Sequence, residues 1–440
     1  MTTQARETVG TRAQVLAWCL WDTGSSAFHA IMLTFVFTVY LTSSSFGSPE
    51  HTSAVLSAGM AIAGFFIALT APLIGQRSDA PRSRSRFLCV NTVLLALFTG
   101  LAFFARPEPS FLIFGVAMIA IASIVAEFAE VSYNAMLPGL AGPRKIGAVS
   151  GWGWGAGYLG GIVALAFVLF GFVQPGFLGI ATEDALNYRS VALFSAVWVL
   201  VFSLPLMLRA RSMPYRPLEI DDDDASPAPR RGILASYRDL FRTIARVWRR
   251  SPATVYFLLS SAIFRDGLAG IFTFGGVLAA GTFGFSMSEV IIFAVVANIA
   301  AALGAIVGGK FDDAAGPRAV IVVSLLGIMV AGSVLLFWEG STAFWVCGLA
   351  LCLFVGPAQA ASRTYLGRLT PSGRDGEMYG LYATTGRAVS FLAPLMFGIF
   401  VTAFGAQIWG ILGILSVVGV GLLLLLFTPK PPKGFTTVQA

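Results

Sequence analysis

GQRSDAPRSR (Gly75–Arg84) and GKFDDAAGPR (Gly309–Arg318) stand in step in the two halves of this chain: a glycine, an aspartate four residues on and a closing arginine recur at one offset. Each stretch joins two long apolar runs. Working outward from them, apolar runs occupy about 15–42, 52–76, 85–105, 109–137, 147–173, 189–210, 253–283, 287–310, 317–338, 341–366, 376–404 and 407–428. A helix needs roughly 20 apolar residues to cross a bilayer core of ~30 Å, so each run predicts one transmembrane helix. Hydrophobic residues make up 56% of the 440 and charged ones 12%, about half the charged share of a soluble domain. The fold class is therefore an all-α membrane protein of twelve transmembrane helices in two six-helix pseudo-repeats, expected at 1–210 and 253–440.

The basic residues fix the expected orientation. Arg6 and Arg12, the Arg77–Arg86 group, Arg144 and Lys145, the arginines between Arg209 and Arg250, and Lys310, Arg318, Arg363, Arg368, Arg374, Lys430 and Lys433 all fall on one side of the twelve segments. By the positive-inside rule that side is the cytoplasm, with both termini inside and the plasma membrane as the location. Arg106 and Arg189 lie opposite, and Arg265 and Arg387 fall inside apolar segments.

The net charge of +7 sits in short loops at membrane edges, where anionic headgroups attract it, so the lipid bilayer rather than nucleic acid is the expected partner. The four cysteines lack metal-ligand spacing and read as packing residues, with neither disulfide nor metal expected. The first apolar run is too long for a cleaved signal and lacks a small-residue cleavage site. No phosphate-binding glycine-lysine loop occurs, and two histidines, His29 and His51, are too few for hydrolytic or metal chemistry. No cofactor and no enzymatic activity are expected. Residues 211–252 form the one long hydrophilic stretch, with Asp221–Asp224 and SPAPRR. The aspartates lack calcium-loop spacing and read as a solvated linker. After them Leu240, Ile244, Val247 and Trp248 recur at helical spacing among Arg238, Arg242, Arg246, Arg249 and Arg250, the pattern of an amphipathic helix on the membrane surface.

The repeated loop resembles the signature between helices 2 and 3 of the major facilitator superfamily, with Ala80 where a basic residue usually follows the aspartate. A narrower resemblance rests on LWDTGSSAF (Leu20–Phe28), YNAMLPGL (Tyr133–Leu140), VSGWGWGAGYLGG (Val149–Gly161) and QAASRTYLGRLTP through GLYATTGR to Arg387. These look like the Unknown Major Facilitator family, whose eukaryotic branch contains autophagy-related vacuolar amino-acid effluxers. Where relatives carry Asp-Trp-Ala-Asn, this chain reads Asp22, Thr23, Gly24 and Ser25. The resemblance implies that Asp79 and Asp313, with Gly75, Gly309 and Arg84, are gating residues, and that helices 1, 4, 7 and 10 line the central cavity.

Ionisable groups deep in a bilayer cost several kcal/mol and generally face water or a partner. Seven qualify: Asp22 and His29 in segment 1, Glu127 and Glu130 in segment 4, Arg265 and Asp266 in segment 7, and Arg387 in segment 11. Asp22 and His29 are seven apart and share a face. Glu127 and Glu130, three apart, also share one. Two such carboxylates either titrate as a unit, which suits a proton carrier, or are held ionised by Arg265 or Arg387. Adjacent Arg265 and Asp266 point about 100° apart and need partners on other helices; Asp266 holds the repeat position of Asp22. Arg265 suits a substrate carboxylate or phosphate or a structural pair; Arg387 suits bracing of segment 11 against an acid. Gly153, Gly157 and Gly161, and Gly151 and Gly155, give segment 5 small faces for close helix contact. Asn134, Trp152, Tyr158 and Gln359 are candidate cavity residues.

The expected function is secondary active transport by alternating access, proton-coupled, of a small polar or zwitterionic metabolite such as an amino acid, by a monomer. The alternatives are an exporter of amphipathic drugs or lipids and a sensor that no longer transports.

Overall fold

The computed structural model describes residues 10–79, 81–142, 144–173, 178–216, 238, 242, 245, 247–249, 251–285, 287–371 and 373–428. Among the described residues, twelve helices are long and apolar enough to span a membrane: α1 Arg12–Leu41, α2 Ala54–Arg77, α3 Arg82–Phe104, α4 Pro109–Ala141, α5 Ile146–Val173, α6 Glu183–Ser212, α7 Pro252–Gly276, α8 Ile292–Ala315, α9 Pro317–Phe337, α10 Ser341–Leu369, α11 Asp375–Phe404 and α12 Gln407–Leu426.

Local chemistry sets their ends. Thr11 caps α1, accepting from the Gln14 amide while the Gln14 side chain accepts from the Thr11 amide, so two otherwise orphaned donors are satisfied. Gly316 at φ +88° and Gly340 at φ +91° introduce α9 and α10, backbone angles open to glycine and costly for other residues. Two spans are not regular. α1 turns π-helical over Phe28–Phe35, and α11 breaks between Val389 and Leu392.

In the first half α1 packs on α5 and α6, α3 on α4 and α6, and α2 on α4. The second half repeats this with α7 on α11 and α12, α9 on α10 and α12, and α8 on α10. Across the halves, α5 lies along α8 and α2 along α11. Glycines permit close approach across the halves and within them: a Cβ on Gly151 of α5 would strike the Ala305 carbonyl of α8, and one on Gly304 of α8 the Leu353 carbonyl of α10. The α5 glycines divide by face, Gly153 against Trp18, Gly157 against Asp22 and Gly160 against Thr23 of α1, Gly151 and Gly155 against α8.

The linker begins by crossing the basic end. Pro214 lies over Gly139, and Arg216 donates to the carbonyls of Gly367 (3.3 Å) and Thr370 (3.0 Å). Asp221–Asp224, SPAPRR, Leu240, Ile244, Arg246 and Arg250 lie outside the described residues. Arg238, Arg242, Val247, Trp248 and Arg249 are helical, and Trp248 stacks on Tyr256 of α7 at 5.7 Å.

Candidate functional site

Two matching contacts, here called latches, join the halves at the basic end. The Asp79 carboxylate accepts the amides of Gly376 (2.5 Å) and Glu377 (3.1 Å) at the start of α11. Asp313 accepts the amides of Gly147 and Ala148 at the start of α5, both at 2.8 Å. A carboxylate on the unpaired amides of a helix N-terminus gains both hydrogen bonds and the favourable helix dipole. The motif glycines let the backbones meet: a Cβ on Gly75 would run into the Gly376 carbonyl, and one on Gly309 into that of Gly147. The arginines differ between the copies. Arg84 reaches Asp79 (3.3 Å) and the Ala135 carbonyl (2.7 Å), whereas Arg318 turns to the last carbonyls of α12. Arg368 of α10 serves Asp313 instead, at 3.3 Å, and Asp312 at 2.8 Å.

Inward of the latches, one arginine gathers four helices. Arg363 of α10 is 4% exposed. Its Nε donates to Ser150 Oγ (3.0 Å) and Nη2 to the Ser150 carbonyl (2.8 Å). Nη1 donates to Asn134 Oδ1 (3.2 Å) and stands 3.7 Å from Asp22 Oδ2. Rings enclose the guanidinium, with Trp18 centred 4.7 Å away and Tyr133 and Trp154 beyond. Tyr133 is itself held between Trp18 and Trp21, 4.3 Å from each, and donates its hydroxyl to Asp22 (3.1 Å). Tyr379 of α11 donates to the Arg363 carbonyl (2.8 Å).

Read from sequence, Arg363 falls among the loop cations, and Arg265 and Arg387 are the cations within the membrane. The structure corrects this: α10 continues to Leu369, which carries Arg363 two turns inside. A helical register running on through Gln359 and Arg363, four apart, was the available signal. Gln359 is half-buried on that face.

Further from the basic end, Arg387 binds Glu127 across the halves, with Nη2 at 2.6 Å and Nε at 3.1 Å from the same oxygen, Oε2. The structural alternative for Glu127 is therefore the arrangement seen. Glu130 makes no hydrogen bond or ion pair among the described residues, and lies within electrostatic reach of Glu127, His29, Arg265 and Arg363. His29 Nδ1 is 3.1 Å from the Ser25 carbonyl. Arg265 lies flat on Tyr382, 3.8 Å from the ring centre, with Nη1 buried and unbonded. Tyr382 shares a 2.8 Å hydrogen bond with Ser362.

Asp266 is used differently from Asp22. It accepts the Ala393 amide at 2.6 Å and so caps the outer part of broken α11 from α7. Equivalent positions in the repeat thus carry a central acid in one half and a helix cap in the other. Trp152 is also not where a cavity residue would be. It is 44% exposed and shares its helix face with Leu159, Val163 and Phe170, the outward face of α5. Trp154 and Tyr158 take the inward face, with Tyr158 stacked on Phe272 of α7 at 6.2 Å. Thr23 and Gly24 pack on α5 and α6, so the departure from Asp-Trp-Ala-Asn falls on helix packing and spares Asp22.

Cross-half hydrogen bonds run from the latches through Arg363 to Arg387 and to Thr384, which donates to the Ala68 carbonyl at 3.2 Å. The halves are thus drawn together at the basic end, around a polar interior. A family model described as "Vacuole effluxer Atg22 like" matches residues 40–433. The chain belongs to that family.

Among similar proteins, the uncharacterized MFS-type transporter YxiO of Bacillus subtilis is 23% identical over 94% of each chain. Autophagy-related protein 22-1 of Aspergillus fumigatus is 26% identical over 64% of this chain and 47% of its own length, so the alignment spans under half of that fungal relative. Among solved structures, the transporter FucP in the outward conformation superposes with a TM-score of 0.69 at 16% identity, covering 95% of this chain and 98% of that one. The proton:xylose symporter XylE gives 0.68 at 12% identity, over 95% and 94%. The fold of this Atg22-like chain is that of the major facilitator transporters, and the protein is a secondary transporter rather than an enzyme.

Proposed function

We propose that this Atg22-like transporter moves a small zwitterionic metabolite, an amino acid in the first instance, coupled to protons. One observation carries the reading: among the described residues, a carboxylate without a partner, Glu130, and a guanidinium nitrogen without a partner, Arg265 Nη1, border the Glu127–Arg387 pair between the halves. A zwitterion brings the complement of both, an ammonium for the acid and a carboxylate for the arginine. Asp22, Glu127 and Glu130 are the acids available to carry a proton. Residues 1–210 and 253–440 act as two bundles that rock about this level, with Asp79 and Asp313 latching the basic end in the conformation described. The basic end faces the cytoplasm, as positive-inside asymmetry favours, which puts both termini inside and the chain in the plasma membrane. Both halves of the pathway lie in one chain, so a monomer suffices.

The test is flux in proteoliposomes. Labelled L-amino acids should accumulate or be expelled when a pH difference alone is imposed, and an uncoupler should abolish the movement. If no amino acid moves under any gradient while an amphipathic cation such as rhodamine 6G does, the drug-export reading replaces this one.

A further inference from the structure

We propose that Arg387 is the docking point for a ligand carboxylate and that Glu127 holds this point when no ligand is bound, so that each carboxylate taken up frees Glu127 to accept one proton. The inference rests on the proton-coupled function proposed for this transporter and assigns its coupling to one exchange.

The geometry of the pair is that of a replaceable contact. Arg387 gives two nitrogens to one oxygen of Glu127, leaving Nη1 and Oε1 without a hydrogen bond among the described residues. A fork-to-fork pair would use two oxygens and be stronger, so an incoming carboxylate can improve on the internal one. The pair is also accessible, with the Arg387 side chain 37% exposed and that of Glu127 14%. A second guanidinium lies beside it. A Cβ on Gly386, the residue before Arg387, would lie 3.6 Å from Arg265 Nη1, the buried nitrogen that has no partner. Arg265 thus lies against α11 one residue before Arg387, with a nitrogen free to donate to a ligand oxygen.

The charged neighbours decide the fate of Glu127 once it is displaced. Glu127 stands between Arg387 from α11 and Glu130 on its own helix, and Glu130 in turn lies within electrostatic reach of His29 from α1, Arg265 from α7 and Arg363 from α10. α2 brings no ionisable side chain between Ala54 and Gln76, and α3 no charged one between Phe87 and Phe104. Arg363 is committed to Ser150, Asn134 and Asp22, and Asp266 is spent on the α11 cap. Once Arg387 turns to a ligand, Glu127 has Glu130 three residues away and no cation of its own. Neighbouring acids in a partly buried setting do not both stay ionised. The exchange balances as Arg387–Glu127 ion pair plus ligand carboxylate plus one proton from water, giving Arg387–carboxylate ion pair plus neutral Glu127. No other group is oxidised, reduced or transferred.

Equilibrium binding of sodium propionate to the purified full-length chain tests this without any flux. Binding is read by thermal midpoint, with sodium chloride and propylammonium chloride as controls. In the wild type the apparent affinity for propionate should rise on acidification from pH 8 to pH 6, by up to about tenfold per pH unit, the slope of one linked proton. Glu127→Gln should bind propionate at least about tenfold tighter at pH 8 and without pH dependence. Adding Arg387→Gln to that variant should abolish binding. Equal affinity in wild type and Glu127→Gln, an unchanged pH slope, no propionate binding by Glu127→Gln, or binding that survives in the double variant each overturns the proposal. Should Glu127→Gln not fold, proton uptake by the wild type in weak buffer decides: one proton per propionate supports the exchange, and none overturns it. A failure of amino-acid flux in proteoliposomes would sink the broader reading and leave this measurement standing.

Discussion

Arg363 and Arg387 make the same kind of contact, an arginine of the second half on an acid of the first, yet their surroundings differ in every respect that matters. Arg363 is buried with all three nitrogens bonded and three aromatic rings around it. Arg387 is over a third exposed and holds one oxygen of Glu127. A buried, fully bonded ion pair adds little net stability over an apolar replacement but fixes which surfaces meet, and it is costly to break from one side. A partly exposed pair is worth little and exchanges readily. The inner pair therefore has the character of a structural pillar between the halves, and the outer one that of the exchangeable contact we propose a ligand replaces.

The largest effect should come from breaking the pillar. Arg363→Ala removes a buried cation that Ser150, Asn134 and the partly exposed Asp22 share and should destabilise the closed conformation by up to about 3–5 kcal/mol, seen as a large loss in thermal midpoint. Arg387→Ala should cost under about 1 kcal/mol. Equal losses would erase the distinction between the two pairs.

A smaller effect is expected at the latches, which sharpen the comparison because they close the same end without touching either pair. Asp79→Asn and Asp313→Asn each weaken charge-assisted bonds to helix-terminal amides, worth about 1–3 kcal/mol of closure. The two changes should add, since the latches share no partner. Spin labels at Arg82→Cys and Lys310→Cys, exposed near the basic ends of α3 and α8 in opposite halves, should report longer distances in each variant, with ligand binding retained. An unchanged distance distribution would remove the aspartates from the latch.

The smallest effect separates the two tryptophans of α5. Trp152→Ala should change thermal stability and flux by no more than about 0.5 kcal/mol, as for a surface position. Trp154→Ala, which opens space beside Arg363 and Tyr158, should reduce flux at least several-fold. The reverse order would put the inward face of α5 on the other side.

Much of this was legible because it is written in local chemistry. Apolar run length, the repeated glycine and aspartate of the loops, and the acids and arginines of segments 1, 4, 7 and 11 are properties of short stretches. The structure brings Glu127 and Arg387 together and leaves Glu130 and Arg265 beside them, which no spacing along one helix could say. Arg363 was missed because it falls in the last turn of the apolar run 341–366 and reads as one of the cations of the basic side, while its partners Ser150, Asn134 and Asp22 come from three other helices. Asp266 was read as a second Asp22 because the repeat aligns them; the break in α11 that gives it amides to cap is made by another helix.

What the sequence by itself determined was the number of spanning helices, the basic side, and which loops carry the latching aspartates, since hydrophobic length and charge asymmetry act segment by segment against the bilayer. Tertiary structure alone decided how deep each ionisable side chain sits and which way α5 turns its tryptophans. A buried charge is tolerable only where partners from other helices converge on it, and that convergence depends on the packing of α1, α4, α5, α10 and α11 together.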